Sequence, residues 1–317
     1  MPRDLTRPLV TGGAGFIGSA LVRQLLGHPE VERVVVLDKL TYAGSLARLP
    51  LDEPRLEFVR GDIADRERVR GLLDLHAVTG VFNLAAESHV DRSIERPDDF
   101  IATNITGAFT VLDACRAAGV RLLQCSTDEV YGAIDAPGRF TEDSPLRPSS
   151  PYSASKTSAD LLCLAAVTTH GQDLVITRGS NTYGPRQHPE KLIPRMVQCA
   201  LRDQPLPVYG DGLQVRDWMH VDDHARGLIA AFLLGEAGGV YNLGADCERT
   251  NLDLVRELLA ILGKPESLIR HVTDRPGHDR RYALDAGKAR RELHWRPQAD
   301  FARDFAHTVR QLAAELA

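Results

Sequence analysis

No run of 18 or more consecutive apolar residues occurs in this chain of 317 residues, so no membrane-spanning helix is expected. The opening Met1-Pro2-Arg3-Asp4-Leu5-Thr6 lacks the apolar stretch and cleavage site of a secretory signal, and the expected location is the cytoplasm. Cysteine is sparse: Cys115, Cys125, Cys163, Cys199 and Cys247 are odd in number, scattered, and never spaced C-x-x-C. That pattern excludes a disulfide framework and a zinc ribbon, no metal site is expected, and the thiols read as buried and inert. Positive charge is not in excess; the formal net charge of -5 leaves no footprint for a nucleic-acid partner. Internal repeats, low-complexity tracts and a Gly/Ser/Pro-rich linker are also missing, so any second domain must be interleaved with the first. With 43% hydrophobic and 26% charged residues, the chain can bury one large core or two modest ones.

What is present begins at Leu9-Val10, which leads into Thr11-Gly12-Gly13-Ala14-Gly15-Phe16-Ile17-Gly18. Ala20, Leu21, Val22, Leu25 and Leu26 then recur at helical spacing before a second apolar run, Val34-Val35-Val36-Leu37-Asp38. This is a βαβ unit. Gly12, Gly15 and Gly18 fall at i, i+3, i+6, letting the backbone turn tightly and approach a pyrophosphate whose charge rests on the N–H groups opening the helix. Asp38, twenty residues after Gly18, is placed to accept from a ribose diol and to repel a 2′-phosphate, and no arginine lies in the loop. The expected cofactor is NAD.

Further apolar runs follow at 56–59, 81–86, 121–126 and 174–178, with helical patterns at about 65–75, 104–118 and 152–170. Alternation of continuous apolar strands with helices predicts an α/β fold: a Rossmann-type doubly wound parallel sheet, with ligands at its C-terminal strand ends. The polar clusters sit there, at Gly61-Asp62-Ile63, Glu87-Ser88-His89, Thr127-Asp128-Glu129 and Ser180-Asn181.

Ser126-Thr127-Asp128-Glu129-Val130-Tyr131-Gly132 carries a hydroxyl and two adjacent acids, and Pro151-Tyr152-Ser153-Ala154-Ser155-Lys156 adds a tyrosine and a lysine at i, i+4. A phenol, with a pKa of about 10, is a poor base at neutral pH; an ammonium one helical turn away and a bound nicotinamide cation both favour the phenolate. Thr127 fixes the hydroxyl to be oxidised, and Lys156 holds the nicotinamide ribose. Oxidation alone has no use for two acids. A ketone at a sugar C4 acidifies the hydrogen on C5, so that a carboxylate can remove it while a carboxylic acid protonates the departing C6 oxygen. One carboxyl must be protonated and its neighbour ionised, which like-charge proximity tends to enforce.

These motifs, with Asn181-Thr182-Tyr183-Gly184-Pro185, His188 to Pro194, Pro207 to Gly212, Val215 to Trp218 and Asp274 to Tyr282, resemble the dTDP-glucose 4,6-dehydratases, which are extended short-chain dehydrogenases/reductases. The resemblance spans nearly the whole chain. It implies that Asp128 is the acid at the C6 oxygen, Glu129 the base at C5 and Tyr152 the base at O4, assisted by Thr127 and Lys156. It places NAD against Gly12, Gly15, Phe16, Ile17, Gly18, Asp38, Lys39, Leu40, Thr41, Asp62, Ile63, Leu84, Ala85, Ala86, Ser88, Thr103 and Thr182, besides Tyr152 and Lys156. The nucleotide sugar, dTDP-glucose, would lie against Ser88, Thr127, Asn181, Lys191, Leu192, Pro207, Val208, Tyr209, Arg216, Asn251, Asp274, Arg275, Pro276, Gly277 and His278. Arg216 and Lys191 suit a diphosphate and Tyr209 can stack on a pyrimidine. Residues 1–182 with about 223–245 and 282–287 would form the NAD-binding domain. A smaller interleaved C-terminal substrate domain would take about 183–222, 246–281 and 288–317. The resemblance also implies a homodimer built through a four-helix bundle.

Two positions depart from the usual pattern: Thr182 replaces a common second asparagine, and Arg186 a frequent aromatic. The competing readings are a nucleotide-sugar 4-epimerase, a 4,6-dehydratase acting on a UDP- or GDP-hexose, a UDP-glucuronate decarboxylase and a redox-silent NAD-binding regulator. Asp128 and Glu129 argue against the epimerase, which has no use for the pair, while a GDP-mannose 4,6-dehydratase would keep the glutamate but usually lacks the aspartate.

Overall fold

The expected βαβ unit forms as β1 (Pro8–Thr11), α1 (Phe16–Leu26) and β2 (Val34–Asp38), followed by β3 (Leu56–Arg60); the computed structural model describes residues 3–316. The chain continues through α2 (Arg66–Leu75), β4 (Gly80–Asn83), α3 (Val90–Glu95) and α4 (Pro97–Phe100) into a π-helical segment, Ile101–Gly107, that runs straight into α5 (Ala108–Ala118). Next come β5 (Arg121–Thr127), α6 (Pro151–His170), β6 (Leu174–Gly179), β7 (Asn181–Tyr183), α7 (Leu192–Leu201), β8 (Leu206–Tyr209) and β9 (Val215–His220). The chain closes with α8 (Val221–Leu234), β10 (Val240–Leu243), β11 (Glu248–Thr250), α9 (Asn251–Leu262), β12 (Ile269–Val272), α10 (Gly287–Glu292) and α11 (Phe301–Leu316). Among the described residues, no helix is long and apolar enough to cross a membrane.

Seven strands pair in the order β10-β6-β5-β4-β1-β2-β3, every pairing parallel. The order reverses between β1 and β4, which opens the ligand crevice beyond their C-terminal ends. Strand residues alternate between two cores: Val34 and Val36 pack with α1 and α8 through Leu21, Leu25, Leu228 and Phe232, while Val35 and Leu37 face α2, α5 and α6 through Val69, Leu72, Val111 and Cys163. A third core, with Ile193, Val197, Trp218, Leu258 and Phe305, belongs to a smaller lobe carrying the β11-β9-β7 and β12-β8 sheets. The stretch after residue 288, expected with that lobe, starts in the main one: Ala289, Leu293 and Trp295 lie in the α1–α8 core, and Trp295 Nε1 donates to the Asp223 carbonyl at 3.0 Å.

α6 carries Tyr152 and Lys156, and its start is fixed twice over. Pro151 supplies a helical φ at the first position, and Ser150 and Ser153 form a reciprocal capping box with bonds of 3.1 and 3.0 Å. Two turns beyond Tyr152, Asp160 accepts from Arg178 Nε of β6 at 3.0 Å; the side chains are 0% and 2% exposed. Arg178 also donates to the Tyr131 hydroxyl at 2.8 Å, which donates to Asn242 Oδ1 at 2.8 Å. This chain ties α6 to β6, β10 and the turn after β5. Arg178→Ala strands the Asp160 carboxylate in the core and is expected to cost about 3–5 kcal/mol in urea denaturation; a loss below about 1 kcal/mol, the scale of an exposed pair, would contradict that role.

Candidate active site

At the β1–α1 turn, Gly12 has a φ of +69° and a Cβ there would lie 2.7 Å from the Ala85 nitrogen; one on Gly18 would lie 2.2 Å from the Gly12 carbonyl oxygen. The backbone therefore closes as a bare cradle, and the first turn of α1 has no side-chain cap to occupy its N–H groups. The cradle opens on a cavity of about 310 Å³. Of the residues expected to hold the dinucleotide, Gly12, Gly15 to Gly18, Asp38, Lys39, Thr41, Asp62, Ile63, Leu84 to Ala86, Ser88, Thr103, Tyr152, Lys156 and Thr182 line it. Leu40 does not; its backbone nitrogen donates to Asp38 Oδ1 at 2.8 Å, so it orients the aspartate from behind. Asp38 Oδ2 accepts from Ala14 N at 3.0 Å, and burial raises its carboxyl above the ordinary range. Lys39 pairs with Asp62 at 3.2 Å, which commits its charge within the protein. Thr103 reaches the wall because the π-helical segment carries it there, while Asn104 on the same segment bonds both the nitrogen and the carbonyl of Glu87 at 2.9 Å. The donor set, bare turn and acidic strand end fit NAD.

Thr127 ends β5 and caps the tight turn Asp128–Tyr131: Glu129 N donates to Thr127 Oγ1 at 3.3 Å, and that hydroxyl donates to Asp128 Oδ1 at 3.2 Å. Thr127, Glu129, Tyr152 and Lys156 face the cavity together. Asp128 does not reach its wall; it is 2% exposed, and its Oδ2 has no hydrogen-bond partner among the described residues. Burial, then the neighbouring Glu129, drives the Asp128 carboxyl well above the usual range. Glu129 is also raised by burial, but Arg275, Arg216 and Lys191 oppose the shift. The pair is thus asymmetric: Asp128 is raised by burial and by its acidic neighbour with Arg216 alone of the cations opposing, while three cations oppose the rise at Glu129. Tyr152 departs from the expected lowering, since burial and then Glu129 push its phenol well above 10, with Thr127's hydrogen bond opposing. Lys156 instead spends its ammonium on the Cys125 carbonyl, at 2.6 Å.

A second cavity of about 200 Å³ adjoins the first, and Ser88, Glu129, Asn181 and Lys191 line both. Leu192, Pro207, Val208, Tyr209, Arg216, Asn251, Arg275 and His278 also line the second, as expected for substrate contacts. Asp274, Pro276 and Gly277 do not. Asp274 instead accepts from His278 Nδ1 at 2.6 Å and Gln214 Nε2 at 2.9 Å, and Gly277, at φ +65°, passes so close to Ser149 that a Cβ would meet its carbonyl oxygen at 2.7 Å. These three shape the loop that presents Arg275 and His278. Lys191 donates to the Ser88 carbonyl at 2.8 Å, and Arg216 stacks 4.1 Å over the Tyr282 ring.

The walls also carry residues outside the expected set, three of them polar or aromatic groups close to the chemistry. Glu190 and Tyr282 line the second cavity, and His224 the first. Tyr282 ends the Asp274–Tyr282 motif and was within reach of that signal. His224 lies in the first turn of α8, and nothing in its sequence spacing distinguishes it from a core histidine.

A parallel doubly wound sheet with a glycine cradle after β1 and a Tyr-x-x-x-Lys helix beside the end of β5 defines an extended short-chain dehydrogenase/reductase. The family model for GDP-mannose 4,6-dehydratase matches residues 9–308. A dTDP-glucose 4,6-dehydratase of Actinoplanes is 50% identical, over 95% of this chain and 96% of its own length. The crystal structure of DesIV, the dTDP-glucose 4,6-dehydratase of Streptomyces venezuelae, solved with NAD and dTDP bound, is 51% identical with a TM-score of 0.93 over 96% of each chain. A UDP-glucose 4-epimerase of Thermus thermophilus, in complex with NAD, superposes with a TM-score of 0.89 at 33% identity over 96% of this chain and 98% of that one. The chain belongs to the dTDP-glucose 4,6-dehydratase family. Fold alone does not separate dehydratase from epimerase; the acids after Thr127 do.

The raised Asp128 carboxyl has a consequence for stability. The folded state holds this proton to higher pH than the unfolded chain, so stability is present in full below about pH 3.9, the unfolded value, and is lost as pH rises through the folded pKa. Asp128→Asn, which does not titrate, is expected to melt above the wild type at neutral pH, with the gap closing as pH falls towards 4. A variant that melts below the wild type at neutral pH would contradict a protonated, desolvated Asp128.

Proposed function

We propose that the protein removes water from dTDP-glucose to give dTDP-4-keto-6-deoxyglucose, a hydro-lyase reaction with NAD in the first cavity, the nucleotide in the second and the hexose where the two join at Ser88, Glu129, Asn181 and Lys191. NAD, held by the Gly12 to Gly18 turn and Asp38, would supply both the hydride acceptor for C4 and the hydride donor for C6, so the cycle needs no external oxidant. The observation that carries the reading is the pairing of a buried Asp128 with a half-buried Glu129 on the wall of both cavities, whose surroundings favour the proton on Asp128 and charge on Glu129. Selection of NAD over NADP rests on Asp38, which would repel a 2′-phosphate, and on the commitment of Lys39 to Asp62.

Tyr152, on the wall beside Thr127, takes the O4 proton while Thr127 orients that hydroxyl. Its phenol is held high in the free protein, so the positive charge brought by the cofactor is what makes it a base. Once C4 is a ketone, Glu129, on the wall common to both cavities, removes the C5 proton, and Asp128, turned out from behind Thr127 when the sugar is in place, protonates the C6 oxygen, which leaves as water; Glu129 then returns its proton to C5. The proton gained at Tyr152 equals the one lost at Asp128, so the cycle balances. Arg216, Arg275 and Lys191, gathered around Glu129, hold the diphosphate and keep Glu129 ionised until it acts.

Incubation with dTDP-glucose deuterated at C4 is expected to give a product lighter by one water with the label at C6. An unchanged mass with galactose configuration would establish an epimerase instead. Asp128→Asn combined with Glu129→Gln is expected to lower dehydration at least about a thousandfold, the scale of losing general acid–base catalysis. Bound NADH should still accumulate when substrate is added; dehydration at the wild-type rate would remove these residues from the mechanism.

We also propose a cytoplasmic homodimer. Free Cys115, Cys125, Cys163, Cys199 and Cys247 suit a reducing compartment. Ile101, Phe109 and Leu161, 51%, 42% and 53% exposed, lie on the π-helical segment, α5 and α6, which pack together and present apolar surface outward. Sedimentation is expected to give twice the chain mass, and a monomer at micromolar concentration would contradict the assignment.

A further inference from the structure

Thr182 of β7 and His224 of α8 both line the cofactor cavity, and His224 packs against Gly179, the strand partner of Thr127. Thr182 Oγ1 lies 3.2 Å from the Ser180 carbonyl oxygen and 2.9 Å from His224 Nδ1. A carbonyl only accepts, so the threonine proton is directed to Ser180, and the proton between Thr182 and His224 belongs to Nδ1. The hydroxyl has two lone pairs; the imidazole occupies one and the other is free. His224 is 2% exposed, its Nε2 has no hydrogen-bond partner among the described residues, and burial pushes its pKa down to about 4, which keeps the ring neutral. Gly179 completes the arrangement. A Cβ there would lie 2.6 Å from His224 Cε1 and 2.7 Å from Nε2, so the ring rests against bare backbone at the end of β6, where Gly179 pairs with Thr127. A side chain at 179 would displace the imidazole and release Thr182.

We propose that His224 is a positioning residue for the nicotinamide end of the cofactor: donating from Nδ1, it fixes Thr182 Oγ1 so that the remaining lone pair accepts from the carboxamide N–H₂. This rests on NAD occupying the first cavity. A threonine hydroxyl rotates freely unless something orients it. A neutral histidine performs that task without placing a positive charge beside a ring that is itself cationic when oxidised.

The test reads cofactor binding and proton position rather than turnover. After removal of bound nucleotide, titration with NAD is expected to show Thr182→Val and His224→Leu each weakening binding about tenfold, the loss of one hydrogen bond. The double variant should be no weaker than either single one, because the two side chains act as one acceptor. His224→Asn, which can present an amide N–H near the Nδ1 position, should recover most of the affinity. Long-range ¹H–¹⁵N correlation on the wild type at neutral pH should find a neutral imidazole protonated at Nδ1. Independent losses that multiply to about a hundredfold, unchanged affinity in His224→Leu, or a ring protonated at Nε2 would each overturn the proposal. Wild-type protein that fails to bind NAD at all would instead bring down the functional reading and this inference with it.

Discussion

The character of this site follows from setting two adjacent carboxyl groups in a poorly hydrated crevice, Asp128 buried and Glu129 half-buried beside it. Asp128 and Glu129 are consecutive in the chain, so they cannot be separated, and two carboxylates at that spacing in a low-dielectric site cannot both ionise at modest cost. The structure resolves the conflict by asymmetry. Arg275, Arg216 and Lys191 crowd Glu129, while Asp128 is turned behind Thr127 towards burial and finds no partner for Oδ2. One acid is biased towards its protonated form and the other is supplied with more counter-charge. The elimination requires that division of labour, and an epimerase would have no reason to maintain it.

The asymmetry has an architectural source. Asp128 and Glu129 hang from β5 in the main sheet, but Arg216 comes from β9 and Arg275 from the loop after β12, both in the smaller lobe. Neither lobe holds the site alone. Interleaving the two in sequence makes their relative placement part of the fold, and the buried Asp160–Arg178 pair extends the same logic to α6, fixing the helix that delivers Tyr152 and Lys156. Such a pair contributes geometry more than net stability, because its desolvation offsets most of its attraction.

Periodicity made the main sheet legible. The runs at 34–38, 56–59, 121–126 and 174–178 are β-strands, and the cradle at Gly12 to Gly18 follows from spacing alone. The π-helical segment at 101–107 was read as ordinary helix from 104 onward, because an extra residue per turn leaves no mark on a short amphipathic pattern. The short strands of the smaller lobe carry too few residues to show alternation, and residues 289–295 reveal their allegiance only through the packing of Leu293 and Trp295. At the site, residue type singled out Thr127, Glu129, Tyr152 and Lys156, and the fold brings all four to one cavity. It could not foresee that Asp128 and Leu40 stand behind the wall, that Asp274, Pro276 and Gly277 shape a loop, or that Tyr152's phenol is raised in the free protein. Those depend on burial and on which neighbour the fold brings close.

Site-specific protonation is the most direct reading of the central claim. An infrared difference spectrum at neutral pH between the wild type and Asp128→Asn, with ¹³C-carboxyl aspartate to mark the band, isolates this one group. The account predicts loss of a protonated carboxylic acid C=O stretch from a water-excluded environment, while the corresponding Glu129→Gln spectrum loses carboxylate bands. Carboxylate bands alone at position 128, or the protonated band at 129, would contradict it.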